Sequence, residues 1–166
     1  MTTGLARTLG EVNTDALLVV EFLNTVNVER GADLLDELET WQHWARDHRL
    51  RADTPAAARE TRDALRSAIG DPRLPRLGLR APAEVVLGPE GPLLVAESVC
   101  EAVMAASIRL TVRGEWIRLK ICPADDCLWA FYDESRNRSR TWCSMRSCGN
   151  REKARAWRAR TADVAT

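Results

Sequence analysis

The chain has 166 residues, an ordinary apolar share, and 24 basic against 24 acidic side chains. That is enough for one domain, or one domain with a small appended module, and a net charge of zero excludes a function carried by overall charge of either sign. The distribution is uneven, however. Residues 1–50 hold Arg7, Arg30, Arg46 and Arg49 against nine acidic residues, whereas residues 136–160 hold eight arginines and Lys153 against Glu152 alone. Nearly all the positive charge is arginine, so its clustering, not its identity, carries the information. No stretch approaches the ~18 apolar residues of a membrane span, and ALLVVEFL at 16–23 lacks the basic flank of a signal peptide. A cytoplasmic protein with no membrane partner is expected.

In chain order, DALLVVEFLNTV (15–26) reads as a helix with Leu17, Val20 and Leu23 or Asn24 at helical spacing. After a turn near Gly31, residues 34–50 read as a second helix with Leu38, Trp41, Trp44 and Ala45 on one face. Asp53-Thr54-Pro55 is a cap with proline in the first turn, opening a third helix that Gly70 closes. Residues 71–92, rich in proline and glycine, read as loop with one short strand at 84–87. LLVAESVCEAVMAASIRLTV (93–112) reads as a fourth, buried helix ending near Gly114, and EWIRLKIC (115–122) alternates as a strand. The expected fold is mainly α (α+β): a helical domain, 1–114, then a small four-cysteine zinc module, 115–166, with a short hairpin and a C-terminal helix.

Cys122, Cys127, Cys143 and Cys148 form C-x4-C, fifteen residues, then C-x4-C. Two short pairs across a hairpin-length span suit a tetrahedral structural zinc site, in which the metal replaces the core so short a module cannot build. Pro123 and Gly149 favour the turns such pairs need. An odd cysteine count and the lack of a secretory signal argue against disulfides, while an iron–sulfur cluster takes the same four ligands. Four cysteine ligands leave no open coordination position, so one structural Zn2+ is expected, not a catalytic one. Cys100, between Val99 and Val103 in an apolar stretch, reads as a small buried hydrophobe.

The stretch CPADDCLWAFYDESRNRSRTWCSMRSCGNREKARAWRAR (122–160) closely resembles the CGNR zinc finger, which takes its name from the residues at Cys148, Gly149, Asn150 and Arg151. Upstream, LVVEFLNTVN followed by LETWQHWARDH resembles the ABATE domain that accompanies this finger in bacterial proteins. The resemblance implies a stress-associated transcription regulator.

A helix running from near Cys148 to about Arg160 places Arg151, Arg155 and Arg158 on one stripe and Asn150, Ala154 and Trp157 on the next. With the second stripe packed on the metal module, the first faces outward and suits the major groove of DNA. Arg136, Arg138 and Arg140, ahead of Cys143, extend that patch, as does Lys153. Double-stranded DNA is the expected partner, through phosphate contacts and one or two guanine edges. LWAFY (128–132) reads as a strand and core; stacking of unpaired bases on Trp129, Phe131 and Tyr132 is the RNA-binding alternative. A protein–protein adaptor with a purely structural finger is the other.

Asn24 and Thr25 interrupt an apolar face. They read as a helix C-cap or as polar contacts in a small-molecule pocket walled by Trp41 and Trp44. The helical domain would then sense an effector or mediate a homodimer. His43 and His48, five apart, do not share a helical face for a metal. With no Ser-His-Asp set, phosphate loop or carboxylate pair in the sequence, no enzyme activity is expected.

Overall fold

The structure, a computed structural model, describes residues 13–164; the first twelve residues of the expected helical domain lie outside that range. Asn13 opens α1 (Thr14–Leu23) by accepting the Ala16 N–H on its side chain, a standard N-cap arrangement. Asp15, Ala16, Val19, Phe22 and Leu23 are the buried stripe. It lies one position away from the expected one, so Leu17 is exposed. Two short strands, β1 (Val26–Asn27) and β2 (Ala32–Asp33), pair antiparallel about a turn that ends at Gly31.

The expected helix over 34–50 is divided. A 3-10 turn, Leu34–Asp36, comes first, with the Asp33 carboxylate accepting from the Leu35 amide; α2 (Leu38–Asp47) follows. Trp41 and Ala45 are buried in α2, Trp44 is half-buried, and Leu38 is exposed. The start of α3 (Pro55–Ala68) matches expectation: Thr54 caps it and Pro55 occupies the first turn, where its missing N–H costs nothing.

The stretch read as a helix from residue 93 begins instead as a strand. β3 (Glu84–Gly88) and β4 (Gly91–Val95) form a hairpin in register Val86↔Leu93, and α4 (Val99–Val112) starts only at Val99. The sequence carries the reason. Gly91 turns the chain with φ 122°, and Ser98 and Glu101 form a capping box that fixes the helix start. Similarly, the strand expected over 115–122 is reduced to β5 (Leu119–Ile121) by a 3-10 turn at Trp116–Arg118. β5 pairs with β6 (Ala130–Tyr132), Leu119 opposite Tyr132. The C-terminal α5 (Asn150–Val164) follows a π-helical turn, Met145–Gly149.

α1 packs on α4 and on β6. The main core gathers Val19, Phe22, Leu23, Trp41, Val99, Val103, Ala106 and Leu110, and it continues past Gly114 to Leu119 and Ala130. Each large side chain fully buried here contributes about 1.5–3 kcal/mol. A second, smaller cluster consists of Cys122, Ala124, Cys127, Phe131 and Cys148, with Trp142 and Cys143 against it. Hence the β5–β6 hairpin belongs to both: Ala130 to the helical core, Phe131 to the cysteine cluster.

α3 turns two arginines inward. Arg62 donates through Nη1 and Nη2 to both Asp33 oxygens, at 2.7 and 2.8 Å. Burial opposes the Asp33 charge, yet the Arg62 guanidinium and the Leu35 amide hold its carboxyl below the usual carboxylate range. Pairing of this kind is what makes a buried charge tolerable. Among the described residues no helix is long and apolar enough to cross a membrane.

Candidate metal centre and basic surface

The first cysteine pair sits on a tight loop after β5. The Cys127 and Leu128 amides both donate to the Ala124 carbonyl, and the Cys122 amide donates to the Trp129 carbonyl, closing the loop. Leu128 takes a left-handed φ of 49°, a conformation that costs a non-glycine residue on the order of 1–3 kcal/mol unless its surroundings hold it. The second pair sits on the π-helical turn, where Ser144 accepts the Ser147 amide. Gly149 is favoured there by contact, not by φ: a Cβ would stand 2.8 Å from Met145 Sδ and 3.2 Å from Trp142 Cδ1, so both side chains would have to give way.

These two loops bring four thiols together. The Sγ atoms of Cys122, Cys127, Cys143 and Cys148 all lie within 4.8 Å of one another, with Cys127–Cys143 and Cys143–Cys148 both at 3.6 Å. Four thiolates about 2.3 Å from a central zinc stand about 3.8 Å apart, so the spacing fits a single ion. It is far longer than a disulfide, and all five cysteines are free. A cluster of several irons spreads its thiolates wider than one ion does. Burial pushes the Cys127 thiol up to about 11 and also raises that of Cys143, with the Cys127 and Cys148 thiols adding to the effect. Cys148 goes the other way: hydrogen bonds with Cys127 and Cys143 outweigh its burial. Burial thus opposes ionisation of Cys127 and Cys143, a cost that a cation held between the four sulfurs offsets.

Side chains around the cage fix the intervening loop. Asp133 has no exposed surface; its carboxylate accepts from Lys120 Nζ at 2.6 Å and from the Ser135 and Arg140 amides at 2.9 Å each. Burial opposes its charge, but these donors hold the carboxyl well below its ordinary range. Lys120 also donates to the carbonyls of Arg138 and Arg140, at 2.6 and 2.9 Å, and Arg118 to those of Asp133 and Ser135. Arg140 lies over the Phe131 ring at 5.0 Å and donates to the carbonyls of Trp142 and Cys143. Of the residues expected to contact nucleic acid, Arg140 is thus engaged in holding the second cysteine loop.

α5 presents its faces opposite to expectation. Arg151 Nη2 lies 2.9 Å from Asp126 Oδ1 and 3.6 Å from Cys148 Sγ, while Arg151 Nη1 is 3.6 Å from Glu29. Arg155 reaches Asp126 at 3.2 Å and Glu152 at 2.7 Å. The stripe of Arg151 and Arg155 therefore faces the metal module. Asp126, between the first two ligands, supplies the attraction that the stripe reading omitted. Trp157, expected to pack inward, is 62% exposed, on a face shared with Lys153 and Arg160. Lys153, Arg158, Arg160, Arg136, Arg138 and Arg146 are all exposed, and none has a side-chain ion pair among the described residues.

Of the four residues expected around an effector pocket, the two tryptophans stack on each other, while Asn24 and Thr25 lie at the end of α1. Asn24 caps α1 and hydrogen-bonds the Ala130 backbone in both directions. Trp41 is in the core with its indole N–H on the Asp53 carbonyl. Trp44 stacks between Trp41 and His48. Thr25 lines a cleft of about 490 Å³ with Asn27, Asp33, Asp36 and Glu37, whose lining includes none of the other three. His48 Nδ1 donates to the Trp44 carbonyl, and its Nε2 contacts Glu21 at 2.8 Å.

A buried cage of four cysteines on two short loops, spaced for one tetrahedral ion, is a structural zinc centre of the finger class. Residues 118–161 match the CGNR zinc finger family, a segment running from β5 through the cage to α5. No curated protein matches the chain. The cysteines were legible from spacing alone. Asp126, Asp133 and Lys120 were not, although an acid between two metal ligands and a lone lysine ahead of them were visible signals.

Proposed function

We propose that this protein is a zinc-dependent DNA-binding transcription regulator whose helical part, 1–114, is the ABATE-like sensing or dimerising unit of a stress response. The observation that carries the reading is the set of exposed cations on the zinc module that have no carboxylate partner among the described residues. Arg136 and Arg138 stand on the loop held by Asp133, and Lys153, Arg158 and Arg160 stand on α5. Exposed arginines and lysines without carboxylate partners suit a phosphate backbone. A helix of 15 residues projecting from a metal-braced module has the dimensions of a major-groove reader. Arg151 and Arg155 then serve mainly to orient the helix, with Lys153, Trp157 and Arg160 on the contacting face.

An RNA-binding reading draws on one observation: Trp157 is exposed among cations, an arrangement suited to stacking on unpaired bases. Labelled duplex and single-stranded random pools, titrated separately with the zinc-loaded chain, separate the readings. Tighter binding of the duplex supports the proposal. Tighter binding of the single strand favours RNA, and binding of neither leaves a protein–protein adaptor.

A further inference from the structure

The loop carrying Cys122 and Cys127 is held from outside the metal module. Arg66, on α3, is 1% exposed and donates through Nη2 to the Leu128 carbonyl at 2.7 Å. Its remaining donors are committed to Asp71 and to the Leu23 carbonyl, so the guanidinium has one orientation. The Leu128 carbonyl it grips belongs to the residue with the left-handed φ. Two residues on, the Asn24 side chain accepts from the Ala130 amide and donates to the Ala130 carbonyl, both at 2.8 Å. Between them lies Trp129, whose carbonyl receives the Cys122 amide. The backbone immediately after Cys127 is therefore fixed at two points by α1 and α3, and the loop closes on the segment so fixed.

We infer that Arg66 and Asn24 are positioning residues of the metal centre: they hold the 122–130 loop in the shape that makes Cys122 and Cys127 converge. Preorganised ligands lose less freedom on binding, which raises affinity without adding a ligand. The coupling is reciprocal: zinc stabilises the helical part, and loss of zinc or of the cysteine thiols weakens it.

The control that separates positioning from plain stability is Arg62. It is as buried as Arg66 and ion-paired to Asp33, but its hydrogen bonds go to Thr25, Asp33 and Asp63, none of them on the 122–130 loop. Zinc affinity of the full chain is measured by competition with a chromophoric chelator, at a temperature where circular dichroism shows each variant folded. Arg66→Met and Asn24→Ala are expected to bind zinc about 10–100-fold more weakly than the parent chain, and zinc should raise their unfolding midpoints less. Arg62→Met should lower the midpoint while leaving zinc affinity within about 2-fold, because it touches no loop of the centre. The inference is overturned if Asn24→Ala and Arg66→Met bind zinc as tightly as the parent chain. It is equally overturned if Arg62→Met weakens zinc as much as they do. Should Arg66→Met not fold, Asn24→Ala against Arg62→Met decides the matter alone, since Asn24 is half-buried and its cap geometry is backbone-made.

Discussion

Changing Asp133 to Asn removes one charge and turns an acceptor into a donor where three donors meet. Lys120 Nζ and the amides of Ser135 and Arg140 all point at the carboxylate, so an amide nitrogen in either orientation confronts at least one N–H. Depriving a buried charged partner of its counter-ion costs about 3–5 kcal/mol. Lys120 remains partly exposed at 27% and can recover water, which brings the expected loss to about 2–4 kcal/mol. At about 2–4 °C per kcal/mol for a chain of this size, the unfolding midpoint should fall by roughly 10 °C. The assay is thermal unfolding of the zinc-loaded protein by circular dichroism near neutral pH, with Glu134→Gln, at an exposed neighbour, as the unaffected reference. The pH dependence supplies a second check. The folded Asp133 carboxyl sits below its unfolded value, so its contribution is complete above the unfolded pKa and is lost as pH falls through the folded one. The gap between parent and Asp133→Asn should therefore narrow below about pH 4. A midpoint within about 2 °C of the parent at neutral pH, or a gap that widens on acidification, refutes the reasoning.

Three further outcomes are expected. Cys143→Ser should lose the bound metal by elemental analysis, and a strong chelator should lower the unfolding midpoint of the parent chain while leaving that of the variant unmoved. Gly149→Ala should destabilise the zinc-loaded chain by about 1–3 kcal/mol, because its Cβ meets Met145 and Trp142; Met145→Ala added to it should recover part of the loss, as a double-mutant cycle of unfolding midpoints will show. In duplex titrations, Lys153→Ala and Arg160→Ala should each weaken binding and reduce its salt dependence by about one counterion. Arg155→Ala, whose guanidinium faces Asp126, should leave the salt dependence nearly unchanged.

The metal site was legible because ligand chemistry leaves its record in spacing: two C-x4-C pairs leave few arrangements besides a closed cage. The start of α3 was equally legible from Thr54 and Pro55. Elsewhere a local signal is outweighed by a neighbouring one. Leu93 to Val95 look helical beside the apolar run that follows, but Ser98 and Glu101 mark the true helix start, and the Gly88–Gly91 turn commits the preceding residues to a hairpin. On α5, stripe geometry alone could not say which face turns inward, since that depended on Asp126, distant in the chain. Arg62 and Arg66 were invisible for a related reason. An arginine in a polar helix reads as exposed until its partners, Asp33, Asp71 and the Leu128 carbonyl, are known.

In the proposed function, the zinc-braced cations of the loop and α5 bind duplex DNA through its phosphates. The most direct test is the affinity of the zinc-loaded chain for a random duplex between about 50 and 200 mM salt. Four or more phosphate contacts should lower the association constant by about 100-fold or more over that interval. A duplex affinity unchanged across it would contradict the claim.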